Sequence, residues 1–573
     1  MLVAFNLKVV PYSGRGIQGS RETFPVNEIP MTSSTKSTMS GVKCSLNTSS
    51  ENLRGKVDNS LVTIHPLDIS SNLCMVDTLQ SLGVDRYFQS EINTVLEDTY
   101  RLWKVKDIIF KDVSCCAMAF RLLRVKGYQV SSDELAPFAE QEVVRLQTSD
   151  FATILELYRA SQERLYEDED ILEKLHDWSS NLLKQHLLNQ NIPDHKLHKQ
   201  VGYFLKNYHG ILDRVAVRRS LDLYNINYYQ IPEVADRFPN EDLLEFSRQD
   251  FNICQAQHQK ELQQLHRWYA DCRLDALNHG TDVVGFANFL TAAIFGEPEF
   301  SEARLAFAKT ITLVTRMDDF FDHDGSTEES YKILDLVQEW EEKPAEEYGS
   351  KEVEILFTAV YNTVNNLAEK AYIEQGRCVK PLLIKLWVEI LTSFKKELDS
   401  WTEETALTLD EYLSFSWVSI GCRICILSSL QFVGIKLTDE MVWSQECVDL
   451  CRHVSSVVRL LNDVQTFEKE RLENTINSVD VQLAAHQGIT EEEAIAKIKE
   501  MVEYHRRKLM QIVYKEGTVF GRECKDVFLR VCRIGYYLYS GDELTSPQQM
   551  KEDMKSLVYQ PVTLNIVKQD AYK

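Results

Sequence analysis

The stretch Met317-Asp318-Asp319-Phe320-Phe321-Asp322-His323-Asp324 decides how the rest of the chain is read. Ahead of it apolar residues fall at Phe307, Ile311 and Val314, and the same helical step then lands on Asp318 and Asp322. The two acids therefore continue a stripe that should face the interior. Four apart on one helix face, like charges repel by about 0.2–0.5 kcal/mol when exposed and by far more when desolvated. Such a site calls for a cation. Oxygen ligands with no His or Cys at a useful offset point to a hard ion such as magnesium, which keeps waters and bridges to substrate phosphates.

A second stretch is built the same way. Cys451, Val454 and Val458 lead at helical spacing into Asn462, Thr466 and Glu470, which share one face over about 12 Å of helix. A single acidic helical triplet is usually a solvated face, but here two polar sets each prolong an apolar stripe. DDFFD at 318–322 and NDVQTFEKE at 462–470 resemble the paired metal motifs of class I terpene synthases, and their separation of 144 residues (318 to 462) fits that family.

The composition agrees with a helical protein. The 573 residues are 44% apolar, with only 22 Gly and 13 Pro, which predicts an all-α chain with room for two or three domains. A net charge of −23 argues against a nucleic-acid partner, because phosphate binding wants a basic face. An acidic enzyme still binds a diphosphate when metal ions supply the positive charge. The thirteen cysteines lie in apolar helical stretches without a repeating framework, which reads as reduced thiols. Cys422 and Cys425 form the one CxxC, and with no second pair at zinc spacing they read as packed helix cysteines, as do Cys115 and Cys116.

Residues 1–50 stand apart. They hold Lys8, Arg15, Arg21, Lys36 and Lys43 against Glu22 and Glu28, with Ser and Thr crowded from Thr32 to Ser50, the composition of an organelle transit peptide. The family resemblance makes it a plastid address, with cleavage expected between 40 and 55. No segment is read as spanning a membrane. The best decoy, Leu413 to Ile435, carries Arg423 near its centre at a cost of about 2.5–3.5 kcal/mol in lipid. Its Ser419-Ile420-Gly421-Cys422 run predicts a break or kink.

The resemblance extends along most of the chain. Residues 51–264, with DVSCCAMAFRLLRVKGYQVSSDEL and RVAVRRSLDLYNINYYQIPEVADRF, resemble the helical β-domain of plant terpene synthases in the kaurene-synthase-like group; Asp112 and Gly127 are the expected caps of a helix there. Residues 265–573, opening at Leu265-His266-Arg267-Trp268-Tyr269, resemble the class I catalytic α-bundle. The fold implied is two helical domains, a β-type α-barrel relic and the α-bundle, without the family's third, γ domain. The DxDD motif that starts cyclisation by protonation is absent, Asp168-Glu169-Asp170 being the nearest thing.

What the resemblance implies about the site is specific. Asp318, Asp322, Asn462, Thr466 and Glu470 become metal ligands, with Asp319 in support, for magnesium, three ions in all, manganese being able to substitute. Arg459 matches the arginine that grips the diphosphate, and Ile420 and Cys422 fall on a broken helix that lines the cavity. Phe320, Phe321, Trp417 and Tyr537 are candidate aromatic walls for a carbocation, although aromatics at helical spacing are commonly core. Tyr537 also lies in a Tyr536–Tyr539 run that, with Asp542, resembles a closing loop; a packed helix end reads equally well. An Arg-x-Arg element common among relatives is replaced here by Gly280-Thr281-Asp282-Val283.

The implied activity is ionisation of a bicyclic copalyl-type diphosphate, supplied by a separate class II cyclase, and cyclisation to an abietane-type diterpene such as miltiradiene. The alternatives are an ent-kaurene-like synthase using ent-copalyl diphosphate, and direct use of geranylgeranyl diphosphate. A trans-prenyl chain-elongating enzyme would show a second DDxxD where this chain has Asn462, Thr466 and Glu470.

Overall fold

The computed structural model describes residues 68–105, 108–139, 150–224, 241–277, 282–400, 407–473, 475–486, 488–540 and 547–563. The expected transit peptide and residues Gly280, Thr281 and Asp542 lie outside them. Every regular element among the described residues is helical, as the composition predicted.

Local signals explain where helices start and stop. Asp112 accepts the backbone N–H of Cys115 at 2.6 Å, and Gly127 closes the Val113–Lys126 helix at φ 100°, a left-handed cap that only glycine adopts without strain. Ser326 with Glu329, Thr408 with Glu411 and Thr490 with Glu493 form capping boxes that start three helices of the C-terminal half.

One helix, Glu241–Asp271, runs unbroken for 31 residues, so the division expected at 264/265 falls inside it. Its buried side, from Leu243 and Phe246 to Leu262 and Leu265, shares one continuous core with Leu73 and Phe120 on one side and Phe289 and Leu460 on the other. The C-terminal turn Lys555–Tyr559 folds back on it, where Gln255 Nε2 donates to Leu557 O at 3.0 Å, and on the Asp213–Tyr224 helix, where Arg218 Nη1 donates to Ser556 O at 3.0 Å. The two halves are also joined where Tyr514 Oη donates to Glu163 Oε2 at 2.9 Å and Arg506 Nη1 to Gln162 O at 3.3 Å.

The Ser301–Asp319 helix is buried on nearly every side from Ala303 to Met317, which makes it an interior helix. Beside it lie the wholly buried helix Val283–Ile294 and the short helix Cys422–Ser429. Opposite, the Gln445–Glu473 helix packs against Glu491–Tyr514 and Arg522–Tyr539. These helices hold the two polar stretches inside one bundle.

Leu409–Phe432 is long and apolar enough by composition to cross a bilayer, and 78% of its most apolar window is buried inside the fold. It is interrupted at Ile420-Gly421, and Arg423 Nε meets Glu389 Oε2 at 3.1 Å. It is a core segment of this bundle.

Candidate active site

The sequence set Asp318 and Asp322 one α-helical turn apart. Instead the Ser301–Asp319 helix opens into a π turn at Phe320–Asp324, where Gly325 N–H donates to Phe320 O at 2.8 Å. The Phe320 ring covers Gly325 so closely that a Cβ there would come within 2.5 Å of it. Single π turns inside helices frequently mark functional sites. Burial first, then the Asp318 and Glu397 carboxylates, push the Asp322 carboxyl well above the usual range. Asp319 turns elsewhere: Arg316 Nη1 meets its Oδ2 at 2.9 Å, while Arg316 Nε donates to the Tyr269 hydroxyl at 3.1 Å.

The second wall lies on Gln445–Glu473. Asn462 and Thr466 are buried and Glu470 is half-buried. Thr466 Oγ1 donates to Asn462 O at 2.8 Å, which fixes its rotamer. Asn477 Nδ2 donates to Glu470 Oε2 at 2.7 Å and to Asp463 O at 3.0 Å, tying the ladder to the segment that follows. Burial and the neighbouring Asp463 raise the Glu470 carboxyl.

Between the walls sits a network the sequence did not single out. Arg459 Nε donates to the Tyr412 hydroxyl at 2.8 Å and lies 2.9 Å from Asp463 Oδ1, while Tyr412 Oη donates to Asp463 Oδ2 at 2.8 Å. Arg459 Nη1 lies 3.5 Å from Glu397 Oε1. Burial pushes the Glu397 carboxyl up to about 7, Asp318 and Asp463 adding to it and Arg459 opposing. Glu397 had a signal in the sequence: Ile390 and Phe394 step onto it at helical spacing, the rule that found Asp318. Tyr539 is buried, and burial first, then the nearby Cys422 and Asp318, raise its hydroxyl well above the usual range.

The predicted helix break is present. One helix ends at Ser419 and the next starts at Cys422, with Gly421 between them at φ 80°. A Cβ on Gly421 would stand 2.9 Å from Val314 Cγ1, so the break presses on the aspartate helix one turn before Asp318. Ile420 and Cys422 are buried at this junction, Cys422 beside Cys451, Cys532 and Tyr539.

Other expected residues lie apart from it. Trp417 is half-buried under the exposed Arg452, whose guanidinium stands 5.7 Å from its ring. Phe321 packs on Phe394 at 5.5 Å, and Tyr537 Oη donates to Asp553 Oδ2 at 2.9 Å with its ring 6.1 Å from Phe289. Where relatives carry Arg-x-Arg, Asp282 caps a helix by accepting Gly285 N–H at 2.9 Å, and Val283 is buried.

The donor set suits a hard divalent ion. Its side chains are oxygen ligands, and the raised Asp322 and Glu470 carboxyls report excess negative charge. No three His, Cys, Asp or Glu side chains among the described residues converge closely enough to hold an ion by themselves. Oxygen donors of this kind are the ligand class that magnesium takes, usually with several waters retained.

Two family models match: "Terpene synthase, N-terminal domain" over residues 27–205 and "Terpene synthase family, metal binding domain" over 270–508. The chain is 79% identical to the chloroplastic 9,13-epoxylabda-14-ene synthase of Marrubium vulgare, over 99% of both chains. It is 67% identical to the chloroplastic miltiradiene synthase of Isodon rubescens, covering 99% of this chain and 93% of that one. Among solved structures, isoprene synthase from grey poplar leaves, in complex with three Mg2+ ions and dimethylallyl-S-thiolodiphosphate, matches with a TM-score of 0.81 at 24% identity, over 90% of this chain and 97% of that one.

Proposed function

We propose that this chain, which belongs to the terpene synthase family and is a class I diterpene synthase, ionises a bicyclic C20 allylic diphosphate in the plastid. The reading rests on one observation. Asp318 with Asp322 on one helix, and Asn462, Thr466 and Glu470 on another, carry oxygen donors in the bundle interior, and Arg459, 2.9 Å from Asp463 and 3.5 Å from Glu397, bears on the carboxylates of both Asp322 and Glu470. Divalent metal, magnesium by its donors, would be held by those five residues and would neutralise the leaving diphosphate.

The chain's own residues do the rest. Arg459, kept in place through its Nε by Tyr412 and Asp463, would supply its guanidinium to the diphosphate oxygens. Asp319 steadies Arg316 behind the metal wall. The buried junction at Ile420 and Cys422 shapes the cavity and excludes water, so a carbocation survives long enough to cyclise.

The handed-over skeleton sets the product. Copalyl diphosphate, supplied by a separate class II cyclase, gives an abietane-type diene such as miltiradiene. A second outcome is favoured by the 79% identical relative, whose named product carries a 9,13-ether and a terminal vinyl group. That ether forms when the allylic cation is captured at C13 by a hydroxyl on C9, so the substrate would be a 9-hydroxylated bicyclic diphosphate. The test is gas chromatography of products after offering both copalyl isomers, a 9-hydroxylated bicyclic diphosphate and geranylgeranyl diphosphate, each with magnesium. Efficient use of geranylgeranyl diphosphate alone would overturn the coupled-enzyme reading.

A further inference from the structure

A cavity of about 910 Å³ lies between the two helical halves, and none of the metal-wall residues lines it. Helices Ile69–Ser81, His195–Lys206 and Asp213–Tyr224 form one side, and Glu491–Tyr514 and Arg522–Tyr539 the other. Eleven Arg and Lys line it against seven Asp and Glu, in a chain whose net charge is −23. Acids just behind the lining meet part of that excess, so what matters is which cations they leave unmatched.

Several of these cations are committed to acids: Arg86 to Asp250 at 2.5 Å, Arg533 to Asp213 at 2.9 Å, Arg219 to Asp553 at 2.7 Å. Arg214 is not. It is 6% exposed, and its Nε and Nη2 have no hydrogen-bond partner among the described residues. Its guanidinium lies 4.4 Å from the Phe251 ring, and its stem is held against Gly296, where a Cβ would come within 2.5 Å of Arg214 Cδ. The Arg219 Nε likewise lacks a partner. A buried guanidinium left without acceptors is strongly unfavourable, and its planar fork matches phosphate oxygens.

We propose that this cavity is a second anion site that takes a phosphate polyanion, with Arg214 donating from Nε and Nη2 and Arg219 closing on the same ligand. The shared chemistry is a chain of phosphates. One source is the inorganic diphosphate that the enzyme itself releases, and the other is a nucleoside polyphosphate, which the volume also admits.

The test is calorimetric titration of the full chain in EDTA with inorganic diphosphate and, separately, with adenosine triphosphate. EDTA removes the divalent ions on which diphosphate binding between the acidic walls depends. Wild type and Asp318→Asn should bind one equivalent with equal affinity, and the tighter titrant identifies the source. Arg214→Gln should weaken binding at least about tenfold, and Arg219→Gln several-fold. If Arg214→Gln does not fold, Arg219→Gln, whose side chain is 36% exposed, decides. No saturable binding of either anion, binding unchanged by the arginine variants, or binding lost in Asp318→Asn would overturn the proposal. Turnover with magnesium is a separate readout, so such a result leaves the proposed reaction standing.

Discussion

Ser419 Oγ donates to Glu397 Oε1 at 2.6 Å, tying the last turn before the Gly421 break to a buried acid that faces Arg459 and Asp318. Shape and charge are therefore coupled in one contact. The helix break is held by a carboxyl that also senses Asp318. Glu397→Gln keeps an acceptor for Ser419 and removes the charge. Turnover should fall by about 100-fold while the melting temperature stays at or above wild type, since a carboxyl raised by burial costs stability when ionised. Ser419→Ala should cost about 1 kcal/mol and shift product ratios. A Glu397→Gln enzyme with wild-type kcat would exclude the acid from the site.

The proposed metal ligands make a sharper separation between activity and stability. Asp322→Ala should lower kcat by about 10³-fold or more, the loss of several kcal/mol of charge stabilisation. It should not lower the melting temperature, because the Asp322 carboxyl is already raised by burial, Asp318 and Glu397. Steady-state kinetics across magnesium concentrations, paired with thermal denaturation, checks both halves.

Gly421→Ala tests the break. The backbone there sits at φ 80°, and the new methyl would stand 2.9 Å from Val314 Cγ1. Strain of about 1–3 kcal/mol is expected, seen as a lower melting temperature. Since Val314 leads into Asp318, product ratios should change as well. A stable variant with an unchanged product spectrum would show that this junction does not shape the cavity.

The two tyrosines separate site from support. Tyr539 is buried near enough to Cys422 and Asp318 for both to raise its hydroxyl, whereas Tyr537 bonds Asp553. Tyr539→Phe should alter the product profile with stability retained. Tyr537→Phe should lower stability by about 1 kcal/mol and leave the profile alone. Product analysis of the pair by gas chromatography would reverse this assignment if Tyr537 proved the one that matters.

Acid should loosen the joint between the halves. Burial opposes ionisation of Glu503, yet Arg506 and His209 beside it, with the Tyr536 hydroxyl donating at 2.6 Å, hold its carboxyl down to about 2. A carboxyl depressed in the folded state contributes stability that is fully present above the unfolded value of about 4.3 and drains as pH falls toward 2. Wild type should therefore lose melting temperature between pH 5 and 3 more steeply than Glu503→Gln. At pH 7 the variant should be the less stable of the two. Parallel curves would mean that Glu503 contributes nothing to the joint.

The sequence by itself determined the helical class and where the acids lie. Apolar stripes at helical spacing run into Asp318 and Asn462, and that periodicity needs no tertiary information because it is a property of one helix at a time. The Asp112 and Gly127 caps and the break at Gly421 were legible for the same reason, each being a local backbone preference.

What the tertiary structure decided is everything that depends on two elements meeting. The π turn at Phe320–Asp324 arises where the Phe320 ring packs over Gly325. Trp417 was a candidate wall by residue type; it is half-buried with the Arg452 guanidinium 5.7 Å from its ring, a rotation that only packing fixes. Glu397 and Tyr412 lie 47 to 79 residues from their partners Arg459, Asp463 and Asp318, Ser419 lies 22 from Glu397, and only the bundle brings them together. Charge stays buried there because folding places opposite charges and donors around it, and that arrangement is a property of the assembled core.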